Sequence, residues 1–372
     1  MYKIIAVDDE IYSLKRFENI IKEEKRVELV DSFTDPFAAL EFIKNNPIDI
    51  AFLDIEMPGL NGLELAERIQ EADPYVSIVF VTAFDQYSLD AFKAHAIGYL
   101  LKPLDIEEFS SQINILDRTR APRVNQDAAK DESEDKATLI VNCLGSFNCY
   151  LKGKEDETVT FRTTKTAELF ALLIHHYESP ATKYFILDSL FPDMDYEKSN
   201  KLFYVSCSYL RSAFSKLGIT GILVRENDNY RLNFSNIECD YVNFIKYSQR
   251  INDMSIEELN KASILYKGEY LKGYAYEWAI ESKPYVDTLY ERIQLRIVDL
   301  YLDSDNTLDA ITLLEKYQAQ DPLREEVVYR LMQLYISQNK TSMAKTLYKT
   351  YSDKLYKQLD SEPSDKLKNL LK

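Results

Sequence analysis

The stretch Ile50-Ala51-Phe52-Leu53-Asp54-Ile55-Glu56-Met57-Pro58-Gly59 runs from four apolar residues into a carboxylate and then into a turn. A short, wholly apolar run bounded by turn residues reads as a strand buried on both faces. Three further runs share the form. Ile4-Ile5-Ala6-Val7 ends in Asp8-Asp9-Glu10, Ile78-Val79-Phe80-Val81 ends in Thr82, and Tyr99-Leu100-Leu101 ends in Lys102-Pro103. Working outward, strand-like runs near 3–7, 27–33, 49–53, 77–82 and 97–101 alternate with amphipathic stretches near 12–24, 36–45, 61–72, 86–94 and 105–116. Strands alternating with helices predict an α/β doubly wound, five-stranded parallel sheet over residues 1–118. Ligands of such sheets sit at the carboxyl ends of the strands. Asp8, Asp9, Asp54, Thr82 and Lys102 all fall there.

The remaining sequence of this 372-residue chain is more than one compact domain accommodates. Residues 119–136 are polar and charged and read as a flexible linker. A coil of that length spans roughly 20–25 Å root-mean-square. Over 137–236, strand-like runs at 139–141, 147–151 and 159–161 precede helical stretches near 164–177, 183–190 and 197–217. Ile222-Leu223-Val224 and Tyr230-Arg231-Leu232 then flank a hairpin signal, Glu226-Asn227-Asp228-Asn229. Strands, three helices and a closing hairpin describe a winged helix-turn-helix. Residues 237–372 read as all-helical with a 34-residue repeat. Ile297, Tyr301, Ala310, Leu314 and Tyr317 recur as Leu331, Tyr335, Ala344, Tyr348 and Tyr351. That period is the mark of tetratricopeptide-like helix pairs, in which a small residue lets helices approach and aromatics fill the groove.

Charge narrows the functions. The chain carries −16 overall, but residues 1–120 hold 12 basic and 23 acidic residues while residues 137–237 hold 11 of each. A nucleic-acid interface shows a basic excess, so the middle segment is the only place to seek one. No run approaches the ~20 apolar residues of a membrane span. Met1-Tyr2-Lys3-Ile4 enters a strand without a signal peptide's tripartite form. Cys143, Cys149, Cys207 and Cys239 form no CxxC pair, and no zinc spacing is completed by the histidines. A cytoplasmic protein with reduced thiols and no membrane partner is expected.

Carboxylates converging at strand ends repel one another, and a divalent cation relieves this; hard oxygen ligands select Mg²⁺. Asp54 would be the nucleophile that forms an acyl phosphate. Lys102 would neutralise phosphoryl oxygens, and Thr82 would offer a hydroxyl. No glycine-rich phosphate loop and no nucleophile–base pair occurs elsewhere, so no enzymatic output is expected.

These residues carry a resemblance. Asp8-Asp9, Asp54 with Met57-Pro58-Gly59 and Gly62, Thr82-Ala83 and Lys102-Pro103 resemble the receiver domain of bacterial two-component response regulators, whose fold is flavodoxin-like. The resemblance implies that a cognate sensor histidine kinase phosphorylates Asp54. It implies that Asp9, Asp54 and the backbone carbonyl of Glu56 ligate Mg²⁺, with Asp8 acting mostly through water. Thr82 and Tyr99 would be the switch pair, and Lys102–Pro103 a cis bond. Further along, Leu144-Gly145-Ser146-Phe147, Phe161-Arg162-Thr163, Leu190-Phe191-Pro192-Asp193, Tyr209-Leu210-Arg211, Trp278 and Asp321-Pro322-Leu323 resemble the SARP (antibiotic regulatory protein) type of transcription factor. That type joins an OmpR-like winged helix to a bacterial transcriptional activation domain. It implies promoter DNA and RNA polymerase as partners and homodimerisation on phosphorylation.

On the third helix of the winged domain, Phe203, Cys207, Leu210, Phe214 and Leu217 share a face at helical spacing, as a core does. The opposite face shows Lys201, Tyr204, Ser208, Arg211 and Ser215, a plausible recognition face. A solvated helix face has the same composition. Arg162, Lys165, Arg225 and Arg231 are candidates for backbone contacts. The neutral charge of this segment leaves open a second function, a phosphorylation-gated adaptor that binds a protein through its helical repeats.

Overall fold

The computed structural model describes residues 1–73, 75–83, 98–119 and 138–371, which form two units. One comprises residues 1–141 and 148–238, the other residues 142–147 and 239–372. The helix expected near 86–94 and nearly all of the expected linker lie outside the described residues.

In the first unit β1 (Tyr2–Val7), β2 (Val27–Phe33), β3 (Ile50–Leu53), β4 (Ser77–Thr82) and β5 (Gly98–Leu101) form a sheet of order β2-β1-β3-β4-β5. All its pairings are parallel. It carries α1 (Ile11–Ile21), α2 (Pro36–Asn45), α3 (Gly62–Ala72) and α4 (Ile106–Thr119). β3 and β4 are buried at every position, as strands covered on both faces must be. Phe17, Phe52 and Phe109 meet at the core, with ring centroids of Phe52 5.0 and 5.1 Å from the other two. This is the doubly wound, flavodoxin-like sheet that the alternation demanded.

The winged helix follows. β6 (Leu139–Asn142) and β7 (Asn148–Leu151) share a sheet with β11 (Ile237–Cys239). Helices α5 (Thr164–His175), α6 (Lys183–Leu190) and α7 (Tyr196–Ser215) each start at a capping side chain: Thr163, Thr182 and Asp195 accept from Thr166, Phe185 and Lys198 backbone N–H groups. β9 (Leu223–Glu226) and β10 (Asn229–Leu232) form the wing hairpin, to whose sheet β8 (Ala181–Thr182) adds an edge. Asn227 turns that hairpin at φ 59°, a left-handed conformation that Asn tolerates. Three details differ from expectation. Residues 159–161 form no strand, although Val159 N–H donates to the Cys149 carbonyl of β7 at 2.8 Å. The two-residue β8 and three-residue β11 are too short to leave a periodic signal. The third helix ends at Ser215 rather than 217, with Gly218 in the left-handed region just beyond.

The second unit is helical: α8 (Asp240–Ser248), α9 (Ile256–Leu265), α10 (Ser282–Asp303), α11 (Thr307–Gln320), α12 (Glu325–Ser337), α13 (Thr341–Leu359) and α14 (Asp365–Asn369). The 34-residue repeat is visible in its backbone. Asp305 and Asn339 both turn left-handed, at φ 57° and 58°. The residues after them, Asn306 and Lys340, both donate to a tyrosine carbonyl, of Tyr301 and Tyr335, at 2.8 Å. Ala310 and Ala344 are fully buried at the helix contacts. Asp240 anchors residues 142–147 to this unit by accepting from the N–H groups of Cys143 and Leu144 at 2.6 and 3.1 Å. Burial pushes its carboxyl up to about 6, against those hydrogen bonds. Among the described residues no helix is long and apolar enough to cross a membrane.

Candidate functional site

β1, β3, β4 and β5 deliver Asp8, Asp54, Thr82 and Lys102 to one edge of the sheet. The backbone fixes their relative height: Asp54 N–H donates to the Val7 carbonyl at 2.9 Å, and Lys102 N–H to that of Thr82 at 2.9 Å. Lys102 Nζ lies 2.6 Å from Asp8 Oδ2 and 2.8 Å from Asp54 Oδ2. The Lys102–Pro103 bond is cis. Asp8, Asp54 and Thr82 are buried, whereas Asp9 is exposed. Carboxylate oxygens of Asp8, Asp9 and Asp54 all lie within 4.8 Å of one another. Burial raises the pKa of Asp8 despite its hydrogen bond from Lys102. Burial would lower that of Lys102, but its bonds to Asp54 and Asp8 outweigh this, so the ammonium is held.

One atom in this cluster is conspicuous. Asp54 Oδ1 is buried and has no hydrogen-bond partner among the described residues. A bare buried carboxylate oxygen is costly. It lines a cavity together with Asp8, Ser13, Arg16 and Lys102. Three convergent carboxylates with a spare oxygen suit a hard divalent cation and an incoming phosphoryl group. Thr82 is in place at the end of β4; Tyr99 lies on β5, its side chain outside the described residues.

The loop after Asp54 returns to it. Gly62 N–H donates to the Ile55 carbonyl at 2.9 Å, and a Cβ on Gly62 would stand 1.8 Å from the Asp54 carbonyl oxygen. Only glycine permits that approach. Asn61 caps α3 by accepting from Glu64 N–H. The start of α3 is thus seated on the main chain of Asp54.

The expected DNA face is less open than the sequence suggests. Phe203, Cys207, Leu210 and Phe214 are buried as expected, with Phe214 5.1 Å from Phe170 and Phe203 4.9 Å from Tyr230. Tyr204, expected on the opposite face, is buried too. Its hydroxyl accepts a hydrogen bond from Lys183 Nζ at 3.0 Å, so it is covered rather than presented to solvent. Lys201, Ser208 and Ser215 are half-buried, and the Arg211 side chain is largely withdrawn from solvent. Arg211 Nη1 is paired with Glu67 of α3, a carboxylate that is 2% exposed. Arg225 Nη2 lies 3.6 Å from Glu64, and Lys201 Nζ 3.7 Å from Glu56. Arg231 pairs with Glu226 at 2.7 Å within the wing. Lys165 pairs with Glu168 at 2.8 Å, and Arg162 covers the Tyr209 ring at 5.3 Å.

Residues 4–114 match the sequence model of the response regulator receiver domain, and residues 247–372 that of the bacterial transcriptional activator domain. Transcriptional regulatory protein BtsR of Escherichia coli K12 is 33% identical over 157 residues, 42% of this chain and 64% of the relative. An uncharacterized response regulatory protein of Yersinia pestis is 40% identical over 119 residues, 32% of this chain and 49% of the relative. The chain thus spans less than two thirds of the length of these relatives. Among solved structures, Mycobacterium tuberculosis EmbR in complex with a low-affinity phosphopeptide has a TM-score of 0.49 at 19% identity, covering 64% of each chain. The chain thus carries a response regulator receiver domain over residues 4–114 and a bacterial transcriptional activator domain over residues 247–372.

Proposed function

We propose that this chain is a phosphorylation-controlled, DNA-binding transcription regulator of a bacterial two-component system, working in the cytoplasm. The observation that carries this is the buried Asp54 Oδ1, without a hydrogen-bond partner among the described residues and set beside Asp8, Asp9 and Lys102. In this reading Asp54 takes a phosphoryl group from a phosphohistidine of its sensor kinase. The P–N bond breaks, a P–O bond forms at the carboxylate, and the imidazole leaves with a proton. Asp9, Asp54 and the Glu56 carbonyl would hold Mg²⁺, with Asp8 through water. The cation, when bound, offsets the charge gathered on the phosphoryl oxygens.

Lys102 already bridges two carboxylates and would follow the new charge, while the Thr82 hydroxyl would bond a phosphoryl oxygen and Tyr99 would turn in behind it. Phosphorylation changes the charge carried by the Asp54 side chain from −1 to about −2, enough to bias a two-state element. The output would be the winged helix, contacting promoter DNA through Lys201, Ser208, Arg211, Ser215, Arg225 and Arg231. The helical unit would touch RNA polymerase, and phosphorylated chains would pair. Asp54 then serves a switch rather than enzymatic turnover. Selection of genomic fragments with the phosphorylated full chain tests the output. Recovery of a common sequence supports the reading; recovery no different from that with Asp54→Ala overturns it.

A further inference from the structure

Cys143 and Cys239 are 96 residues apart in sequence, yet their Sγ atoms lie 4.0 Å from one another. Both belong to the second unit. Cys143 follows β6 and Cys239 closes β11, neighbouring strands of one sheet. Asp240 sets the register of the pair. It is the next residue after Cys239, and its Oδ1 accepts from Cys143 N–H at 2.6 Å. The Cys143 carbonyl in turn accepts from Leu271 N–H at 2.8 Å. The main chain of Cys143 is held from both sides, so the two thiols stay in contact.

Two chemistries suit a pair of sulfurs at this distance, a soft metal ion or a disulfide. A closed zinc site takes four ligands. Asp240 has a carboxylate oxygen within 4.8 Å of both sulfurs. That carboxylate, however, already accepts from the N–H groups of Cys143, Leu144 and Tyr241. Two thiols remain, too few for a metal cage. A disulfide needs only the two, and its bond length of about 2.05 Å asks each sulfur to move by about 1 Å.

We propose that Cys143 and Cys239 are a modification site, a dithiol that hydrogen peroxide converts to a disulfide, giving the chain an input independent of Asp54. Burial chooses the oxidant. At 0% and 2% exposure neither thiol can meet a bulky disulfide, whereas hydrogen peroxide is little larger than water. One thiol gives its proton to Asp240, and the thiolate attacks a peroxide oxygen. The O–O bond breaks, leaving a sulfenic acid and a hydroxide, which takes the proton back from Asp240 as water. The second thiol then attacks the sulfenic sulfur. An S–S bond forms, the S–O bond breaks, and a second water leaves with the second thiol's proton. The cysteines lose two electrons and two hydrogens, and the peroxide is reduced to two waters. Cys207 of α7 is the contrast: burial pushes its thiol up, so it stays protonated and inert.

The bridge would close a loop around residues 144–238, which hold α5, α6, α7 and the wing hairpin. Such a cross-link restricts the unfolded chain, and more so for a long loop. The oxidised protein therefore keeps this segment folded under conditions that open the reduced one.

The test treats the full chain with hydrogen peroxide, denatures it in an alkylating agent, and reads intact and peptide masses. Cys143→Ser, Cys239→Ala and Cys207→Ser are run beside the native chain. Two of the four cysteines should escape alkylation in the native chain. Its mass before alkylation should fall by about 2 Da, and a peptide pair should link Cys143 to Cys239. Cys207→Ser should form the same link, and the other two variants should not. The native peptide map decides alone should a variant fail to fold. Thermal unfolding without reductant should show the bridged chain higher by roughly 5 °C or more, an increase that a thiol reductant removes. Oxygen adducts without a link, a link through Cys149 or Cys207, or four cysteines still alkylated would each overturn the proposal. So would one zinc ion per native chain that is lost in Cys143→Ser, which would make the pair a metal site. None of these readouts involves DNA or phosphorylation, so failure here leaves the regulator reading untouched.

Discussion

Arg211, on the third helix of the winged domain, is paired with Glu67, on the third helix of the receiver, and both side chains are withdrawn from solvent. Burial by itself would lower the pKa of this arginine, but the neighbouring Glu67 outweighs it. A buried charge pair of this kind adds little net stability, yet removing one partner is expensive because the other is left stranded. Arg211→Ala should therefore destabilise the first unit by roughly 3 kcal/mol and lower its thermal midpoint. Glu67→Gln, which can still accept a hydrogen bond, should cost less than half as much. Thermal unfolding of the two variants checks this.

Asp54→Ala should abolish labelling by a phosphoramidate donor in Mg²⁺, whereas Asp8→Ala should only weaken it. Labelling is followed by mass shift of the intact chain and its peptides. A shift retained at native level in the Asp54 variant would move the site elsewhere.

Lys102 Nζ is the positive charge between Asp8 and Asp54, at 2.6 and 2.8 Å. Lys102→Met removes it and leaves two carboxylates to repel. Without divalent cation the variant should be less stable by about 1–2 kcal/mol and unfold at a lower temperature. Added Mg²⁺ should then raise its midpoint more than that of the native chain, since binding to the folded state stabilises it. Equal Mg²⁺ responses would show that Lys102 does not compete for the cation site.

Gly62→Ala places a methyl group 1.8 Å from the Asp54 carbonyl oxygen if nothing moves. Overpacking against main chain costs about 3 kcal/mol. A midpoint within a degree of native would mean that α3 can shift freely at its start, and would weaken its coupling to Asp54.

His175, at the end of α5, has its pKa lowered to about 4 by burial, with the neighbouring His176 adding to the effect. The unfolded chain takes up this proton near 6.5 and the folded chain only near 4, so the unfolded state binds more protons between those values. Stability should be fully present above pH 6.5 and fall as pH drops through that window, by at most roughly 3 kcal/mol. His175→Gln should flatten that part of the pH profile. An unchanged slope would place the acid sensitivity elsewhere.

Much of this was legible in the chain. Five apolar runs alternating with helical stretches, four of them closed by a polar residue, sufficed for the sheet and for the convergence of Asp8, Asp54 and Lys102. The 34-residue recurrence reached even the backbone, down to the left-handed residues Asp305 and Asn339. β8 and β11 escaped because two or three residues carry no periodicity. Tyr204 was misplaced because helical spacing says which residues share a face, not whether a second surface covers it. The partner surface had its own signal: Glu64, Glu67 and Glu71 repeat at three and four residues, an acidic stripe on one side of α3. Such a stripe looks like a solvated face until a buried glutamate turns up in it. Pairing across more than a hundred residues, between Glu67 and Arg211, depends on how domains dock, and no local pattern encodes that.

The central claim is that Asp54 governs DNA binding, and fluorescence anisotropy of a labelled duplex titrated with the full chain tests it most directly. The duplex should carry a selected genomic fragment, and titrations should run at two salt concentrations, with and without phosphoramidate and Mg²⁺. Phosphorylated native chain should bind on the order of tenfold tighter or more, with affinity falling as salt rises because phosphate contacts release counterions. Equal affinity of the two forms, or binding that ignores salt, would contradict it.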